Sequence, residues 1–211
     1  FVSDYTFEHI YYRSIRERDT DYLTTHDFLW RWDTDWFWCS KNFGMQIPFI
    51  RRHAGKTRLN SRTYTRWMHW NNRLKITRGL NWVLRRRRES VIQDVDIPMH
   101  RAAEFLEFLN KEIGILPIWI CPVRAGAARY PLYPLTPMAG YVNFGFWDSV
   151  KTSASALPGH FNRLIERKVA DLGGIKSLYS DSYFPRATFD ATYGGGAYRG
   201  LKARYDPLRR L

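Results

Sequence analysis

The chain has 211 residues, of which 45% are apolar and 17% aromatic, and its lysines and arginines outnumber its acidic residues 33 to 20. This apolar content is ample for a folded core and excludes an intrinsically disordered protein. No stretch approaches the roughly 18 uncharged apolar residues of a membrane-spanning helix. The two cysteines, Cys39 and Cys121, lack metal-type spacing, which favours reduced thiols in a cytoplasmic protein. A chain that opens with Phe1 is expected to be part of a longer one.

The N-terminal part is predicted to begin with a strand, because apolar residues alternate from Tyr5 to Ile15. An aromatic segment follows at residues 26–44, with six aromatic side chains between positions 28 and 38. Thr34 is placed to cap a short helix there, and Gly44 to stop it. So dense a cluster must fill a core, line a pocket for an apolar ligand, or meet a membrane.

The net charge of +13 is concentrated in a basic segment, residues 51–88, which holds thirteen lysines and arginines and no acidic residue. The basic and acidic residues elsewhere balance. Between Leu59 and Leu84, apolar residues recur at helical spacing among arginines, which predicts a basic amphipathic helix. This pattern suits a solvated face, an anionic membrane surface, or a nucleic acid.

The second half predicts strand, helix, strand, strand, helix and strand in that order, followed by an interrupted helix from about Pro185 to Arg204. This order is typical of an α+β fold with a ferredoxin-like antiparallel sheet and helices on one face. The predicted strands are Ser90–Pro98, Leu116–Val123 (interpreted as buried), Gly140–Val150 and Ile175–Phe184.

Motifs for autonomous catalysis are absent from the sequence. The six histidines lack the spacing of a zinc helix, and no serine-nucleophile elbow is present. Gly194–Gly196 lacks the Gly-Lys-Ser/Thr ending of a phosphate loop and is interpreted as a helix break. Asp33 and Asp35 are interpreted as capping or turn residues rather than as a catalytic pair. We therefore expect no metal site.

Three stretches carry a resemblance to a known family: Val91–Met99, Pro117–Val123, and Leu178–Phe184 followed by Ala197–Pro207. In this order they resemble the C-terminal half of the sterol side-chain reductases, the 24-dehydrocholesterol reductase or Diminuto group. That group belongs to the FAD-linked oxidases of vanillyl-alcohol oxidase type. The segment WRWDTDWFW, residues 30–38, most resembles actinobacterial members that saturate a methylene branch on a fatty acyl chain.

The resemblance implies the cap, or substrate, half of an FAD-dependent oxidoreductase that reduces a C=C bond in a lipid. Residues 1–174 would form the cap, with an aromatic and basic insertion at about 26–88, and residues 175–211 would return to the flavin domain. FAD would be bound mainly by an N-terminal domain absent from this sequence, so no cofactor-binding residue is assigned, and NADPH is the expected reductant. The lipid would be a sterol side chain or an unsaturated acyl chain.

The basic segment would then bind an anionic membrane surface, making the protein cytoplasmic and peripherally membrane-associated. The alternative is a basic, aromatic nucleic-acid-binding module. A nucleic-acid partner is disfavoured because the segment lacks an RNA-binding motif and its aromatic residues follow a helical period. A docking surface for a methyltransferase partner is a further alternative.

Candidate catalytic residues come from the predicted strand at Ile175–Phe184, which places Tyr179, Asp181 and Tyr183 on one face. Tyr179 or Tyr183 would donate the proton of the reduction, and Asp181 would orient the phenol. The alternative for either tyrosine is a hydrogen bond to the backbone. A serine stands before Asp181, where sugar-acting relatives carry a lysine, which argues against a sugar substrate.

Candidate substrate-binding residues lie in the aromatic segment and on two strands. The tryptophans would wall off an apolar substrate, and the polar residues would sit where related cap sheets face substrate, although a solvent-facing position is equally consistent for both. The predicted contacts are Trp30, Trp32, Trp36, Trp38, Asp94 and Asn143.

Overall fold

The computed structural model describes residues 1–77, 79, 87–153, 155–208 and 210, and the chain divides into two compact units, residues 1–85 and 86–211. Unit 1 is helical over its described residues. Its elements are α1 (Tyr11–Ser14), α2 (Thr25–Trp30), a 3-10 helix (Cys39–Phe43), α3 (Pro48–Ala54) and α4 (Ser61–Leu74).

The strand predicted at Tyr5–Ile15 is wrong, because residues 5–9 form turns and a short helix follows. The Asp4 carboxylate accepts hydrogen bonds from the backbone N–H and the hydroxyl of Thr6, at 2.8 and 2.6 Å, and closes a local turn. Tyr5 is buried, and its hydroxyl donates to Asp21. The apolar alternation therefore reflects burial of an irregular segment rather than strand pairing.

A buried ion pair organises the core of unit 1. Arg51 Nη1 lies 2.7 Å from Asp35 Oδ1, and both side chains are buried. Ser40 Oγ donates to the same carboxylate oxygen at 2.9 Å, and Arg51 Nε donates to the Phe7 carbonyl at 2.6 Å. Burial raises the pKa of Asp35, and the Arg51 charge opposes that shift. The pair ties α3 to the aromatic segment and to the N-terminal turns.

The two predicted helix signals in the aromatic segment have different outcomes. Thr34 caps no helix, because its hydroxyl donates to the Thr6 carbonyl at 2.8 Å. Gly44 ends the 3-10 helix in a left-handed conformation with φ +70°, which confirms its predicted role.

The predicted basic helix is confirmed through Leu74 but ends there, with Lys75 in a left-handed conformation at φ 52°. The part predicted from 80 to 84 lies outside the described residues. Asn60 caps α4 by accepting the Thr63 N–H at 3.0 Å, and Asp33 accepts the Ser61 N–H at 3.2 Å, as expected of a capping carboxylate. Only Tyr64 is buried along α4. The remaining apolar side chains of this helix are exposed.

Unit 2 contains a four-stranded sheet with the order β2-β3-β1-β4, and every neighbouring pair is antiparallel. This confirms the predicted ferredoxin-like α+β fold. The strands are β1 (Arg88–Pro98), β2 (Trp119–Arg124), β3 (Gly140–Lys151) and β4 (Ile175–Lys176). The other elements are a 3-10 turn (Met99–Arg101), α5 (Ala102–Phe108), which continues as a π-helical turn (Leu109–Ile113), α6 (His160–Asp171), α7 (Arg186–Thr192) and α8 (Gly195–Tyr205).

One face of this sheet packs against α5 and α6. Val91, Val95 and Ile97 alternate along β1, are fully buried, and join Phe105 of α5 and Ile165 of α6 in one core. The period of two places the intervening residues of β1 on the opposite face. That second face is where the polar residues collect.

Two strand predictions need correction. β2 is an edge strand with Trp119 and Ile120 exposed, because its outer side has no neighbouring strand among the described residues. The last strand ends at Lys176 rather than at Phe184, since the buried Lys176 ammonium bonds to Glu166 and to the Asp181 carbonyl, which turns the chain out of the sheet. Residues 175 and 176 pair with β1, and the assignment of 175–211 to a flavin-domain segment stays a prediction.

Candidate active site on the polar face of the sheet

Strand register brings two carboxylates together with an amide and a glycine. Asp96 pairs with Asn143 and Asp94 pairs with Gly145, so the four residues share one face, which we call the polar face. Asn143 Nδ2 donates to Asp96 Oδ1 at 3.0 Å. A Cβ on Gly145 would lie 2.4 Å from Asp94 Oδ1, so the Asp94 carboxylate occupies space that only glycine leaves open.

A long connection between β2 and β3 returns Tyr133 to this face. The Tyr133 hydroxyl donates to Asp96 Oδ2 at 2.7 Å and lies 3.2 Å from Ser177 Oγ. Burial and the hydrogen bond to Asp96 raise the pKa of Tyr133. Both oxygens of the buried Asp96 are thus engaged by neighbouring side chains, which gives Asp96 a structural role at the centre of the face.

Asp94 has a different environment. Its carboxylate is half-buried, and the Tyr179 phenol lies near it, close enough for each group to affect the pKa of the other. Burial raises the pKa of Asp94, with a further contribution from the charge of Asp96, while the neighbouring Tyr179 phenol opposes the shift. Burial and the nearby Asp94 charge raise the pKa of Tyr179. Neither carboxylate forms an ion pair with any residue that the structure describes.

A buried ion pair holds the loop that carries Tyr179. Lys176 Nζ lies 2.8 Å from Glu166 Oε1, and both side chains are buried. Glu166 also accepts the Tyr183 N–H at 3.0 Å, while the Lys176 ammonium donates to the Asp181 carbonyl. The loop is therefore fixed at its start and at its end, and Tyr179 lies between these two points.

The three predicted catalytic residues are separated by this arrangement. Tyr179 faces Asp94, whereas Asp181 is exposed and contributes its backbone carbonyl to Lys176. Tyr183 packs against Gly159, where an added Cβ would lie 2.3 Å from its ring. The shared strand face that would place Asp181 beside Tyr179 does not exist, because the strand stops at Lys176. Their catalytic roles stay predictions.

The four tryptophans predicted to contact substrate lie in unit 1, where some are buried and others are exposed. Trp38 is 2% exposed and Trp30 is 52% exposed. Trp32 is half-buried, with its ring centroid 4.9 and 5.0 Å from those of two neighbouring aromatic rings. Trp36 stacks on Tyr64 with centroids 6.0 Å apart. Trp36 and the residue after it have φ of 41° and 61°, a left-handed conformation that bulky residues adopt only when packing imposes it.

Sequence reasoning missed several residues of the polar face and its supports. Asp96 carried a usable signal, because it alternates with Asp94 along β1. Tyr133 lies in a proline-rich loop and gave no signal, and the Lys176–Glu166 pair joins two elements that sequence spacing does not connect.

Among the described residues, no cluster of three or more His, Cys, Asp or Glu side chains has a metal-binding arrangement. No helix in the described ranges is long and apolar enough to cross a membrane.

Comparison with curated proteins shows similarity to Delta(24)-sterol reductases. The chain is 27% identical over 135 residues to that of Rattus norvegicus and 26% identical over 137 residues to that of Homo sapiens, covering 61% and 62% of this chain. A Delta(24)-sterol reductase homolog of Caenorhabditis elegans is 27% identical over 118 residues, 55% of this chain. The matches span 25%, 25% and 22% of these relatives. No protein-family model matches the chain, and no solved structure matches it. The similarity supports the resemblance to the sterol reductase group.

Proposed function

We propose that this chain is the substrate-binding part of an FAD-dependent oxidoreductase that reduces a C=C bond in a lipid. The similarity to the Delta(24)-sterol reductases supports the reaction class, and the chain spans about a quarter of the length of these relatives. The Asp94–Tyr179 pair on the polar face is the observation that carries the proposal. The assignment to the vanillyl-alcohol oxidase type, and the kinship with fatty-acyl methylene reductases, are parts of this proposal.

The Asp94–Tyr179 pair suits the delivery of a proton. Saturating a C=C bond adds a hydride to one carbon and a proton to the other, so the site needs an acid beside the substrate. Tyr179 Oη carries a proton at neutral pH and can donate it to the second carbon. Asp94 would orient the phenol, and solvent would return a proton to the phenolate that results.

The described residues do not fit the pyrophosphate end of FAD. The one run of three glycines, Gly194–Gly196, lies between α7 and α8 and not between a strand and a helix. We therefore assign no cofactor contact to this chain. FAD bound elsewhere would supply the hydride, and NADPH would reduce the FAD again. This chain would bind the substrate and supply the proton from Tyr179.

A lipid substrate agrees with the surroundings of the pair. Ile92 and Trp119 are exposed on the same face as Asp94, so apolar surface flanks the polar group. A double bond lying against these side chains would be shielded from water, while Tyr179 reaches it from the loop. The substrate class we propose is a sterol side chain or an unsaturated acyl chain.

Replacement of the phenol oxygen tests the proposal. In the protein that contains this chain, we expect Tyr179→Phe to slow the lipid-dependent oxidation of the reduced flavin by about 100-fold or more, the scale of a lost general acid. Flavin content and melting temperature should stay close to wild type. Stopped-flow absorbance with desmosterol as the probe measures the rate.

The matched control is Tyr198→Phe, which removes an exposed phenol on α8 and should leave the rate unchanged. Asp94→Asn should also slow the reaction, with less loss of lipid binding than of rate. A Tyr179→Phe enzyme that is oxidised at the wild-type rate would remove the pair from the mechanism. In that case Tyr183 becomes the next tyrosine to test.

Unit 1 supports a membrane partner as a second part of the proposal. On α4, Trp67, Trp70 and Leu74 are exposed by 41%, 64% and 57%. Arg62, Arg66 and Arg73 of the same helix are exposed and form no ion pair with a described residue. Exposed aromatic rings beside unpaired cations are typical of a helix that lies on an anionic bilayer. A peripheral, membrane-bound enzyme would obtain its lipid there.

A further inference from the structure

Unit 1 contains an apolar cavity of about 490 Å³ between α3 and α4. This volume lies within the range of small-molecule sites in proteins. α3 supplies one wall and α4 the other. The apolar lining comes from Met45, Phe49, Ile50, Ala54, Tyr64 and Trp67.

The aromatic segment supports the floor of this cavity. Tyr64 is 1% exposed, and its hydroxyl donates to the Thr34 carbonyl at 2.8 Å, so the polar atom of the phenol is already satisfied. Trp36 and Phe43 stack on the Tyr64 ring with centroids 6.0 and 5.9 Å away. These contacts hold the buried ring in place beneath the cavity, so part of the aromatic segment fills a core, one of the three roles that its density allowed.

The polar groups at the cavity are basic or neutral. Arg58 lines it, is exposed, and forms no ion pair with a described residue. His53 also lines it, and its Nδ1 donates to the Phe49 carbonyl at 2.8 Å, which leaves Nε2 as the other polar atom of the ring. No acidic residue occurs between positions 51 and 88. No residue that lines the cavity is acidic, so the lining offers an anion the charge of Arg58 with no carboxylate beside it.

We propose that the cavity between α3 and α4 binds a single-chain anionic lipid, with its alkyl chain against Phe49, Ile50 and Trp67 and its carboxylate or phosphate at Arg58. The apolar walls suit the alkyl chain of such a lipid, and the unpaired guanidinium of Arg58 suits its charged head group. A cavity of this volume takes one chain, whereas a bilayer phospholipid brings two. The lipid is therefore bound as a monomer. This site lies in unit 1 and holds whether or not the polar face of the sheet is catalytic.

Calorimetric titration of the whole chain with decanoate, below its micelle concentration, tests the site. We expect saturable binding of one decanoate, with 1-decanol binding about 10-fold more weakly because it lacks the charge for Arg58. Arg58→Gln should weaken decanoate binding about 10-fold and leave 1-decanol binding unchanged. Arg52→Gln is the matched control, since Arg52 is an exposed arginine on α3 that does not line the cavity, and it should change neither affinity.

A second variant addresses the cavity itself. Ala54→Phe places a ring into the cavity and should weaken decanoate and 1-decanol alike by about 10-fold, while circular dichroism confirms the fold. A decanoate affinity that neither Arg58→Gln nor Ala54→Phe changes would overturn the site. Inorganic phosphate that binds as tightly as decanoate would show an anion site that does not need an alkyl chain, and would also overturn the proposal. Binding to anionic vesicles in the absence of decanoate binding would assign Arg58 to the bilayer and reject the monomeric lipid.

Discussion

At the scale of single residues, Asp94 is a carboxylate partly removed from water without a compensating cation among the described residues. Its carboxylate is half-buried and lies near a second carboxylate and a neutral phenol. Such a group costs stability when it ionises, and catalytic sites commonly hold groups of this kind. The pH dependence of stability reports this cost directly.

The raised pKa of Asp94 sets the sign of that dependence. The native state binds the Asp94 proton more tightly than the unfolded state, so the contribution of Asp94 to stability is fully present below its unfolded pKa, about 3.9, and is lost as pH rises through the native pKa. Asp94→Asn removes this loss and keeps an acceptor for Tyr179. We expect the stability of the variant relative to wild type to increase between pH 4 and pH 8, as measured by denaturant midpoints.

The control for this prediction is Asp171→Asn, which changes an exposed carboxylate at the end of α6 and should give a difference that varies little with pH. A relative stability of Asp94→Asn that falls from pH 4 to pH 8 would contradict the raised pKa. The same variant also separates function from folding, because a slower enzyme with higher stability at pH 8 is the outcome of a strained functional site.

At the scale of elements, the loop after β4 depends on the pair that α6 and β4 contribute. Glu166 and Lys176 are buried, 2.8 Å apart, and each holds one further backbone group of the loop. Removing one partner leaves the other buried without its counter-charge, which is the costly way to break such a pair. The position of Tyr179 over the sheet therefore rests on two residues that do not contact it.

Glu166→Gln is expected to destabilise unit 2 by about 3–5 kcal/mol and to speed amide exchange at residues 178–184. Chemical denaturation and hydrogen–deuterium exchange measure the two effects. The double variant Glu166→Gln with Lys176→Met should recover part of the stability, because no buried charge is left unpaired. Glu104→Gln, which removes the exposed partner of Lys168, should have little effect on either measurement. Unchanged exchange in the loop would show that other contacts fix it.

At the scale of the whole molecule, the excess charge lies in the basic segment, residues 51–88. The basic segment holds thirteen cations and no acid, and the rest of the chain is balanced. Surface charge of one sign acts on partners rather than on the fold. The arginines of α4 are the described part of that segment with the clearest access to a membrane.

Replacing Arg62, Arg66 and Arg73 with serine should release the chain from anionic vesicles, since each basic residue near the surface contributes about 1 kcal/mol. Vesicle co-sedimentation measures binding, and circular dichroism should stay unchanged. A triple variant of exposed arginines in unit 2 (Arg129, Arg167 and Arg204) should bind as wild type does. Undiminished binding by the α4 variant would reject the membrane proposal. A nucleic-acid partner would instead show a steep loss of affinity with salt.

Local pattern was sufficient for the order of the elements in unit 2, but not for the burial of β2 or the length of β4. The alternation in β1 and the apolar stripes of α5 and α6 follow from periods of two and 3.6 that the backbone imposes on any amphipathic element. The ferredoxin-like order followed from the sequence of those elements. The same reasoning failed for Tyr5–Ile15, where side-chain capping by Asp4 outweighs the alternation.

By itself, the sequence determined the α+β class, the antiparallel sheet, the basic helix through Leu74, and the shared face of Asp94 and Asp96, because each follows from local periodicity. Only the tertiary structure decided that the last strand ends at Lys176, and that Tyr179 meets Asp94 rather than Asp181. It also decided which tryptophans are buried. These outcomes depend on ion pairs, hydrogen bonds and ring contacts between residues far apart in the chain, and those contacts leave no periodic trace in the sequence.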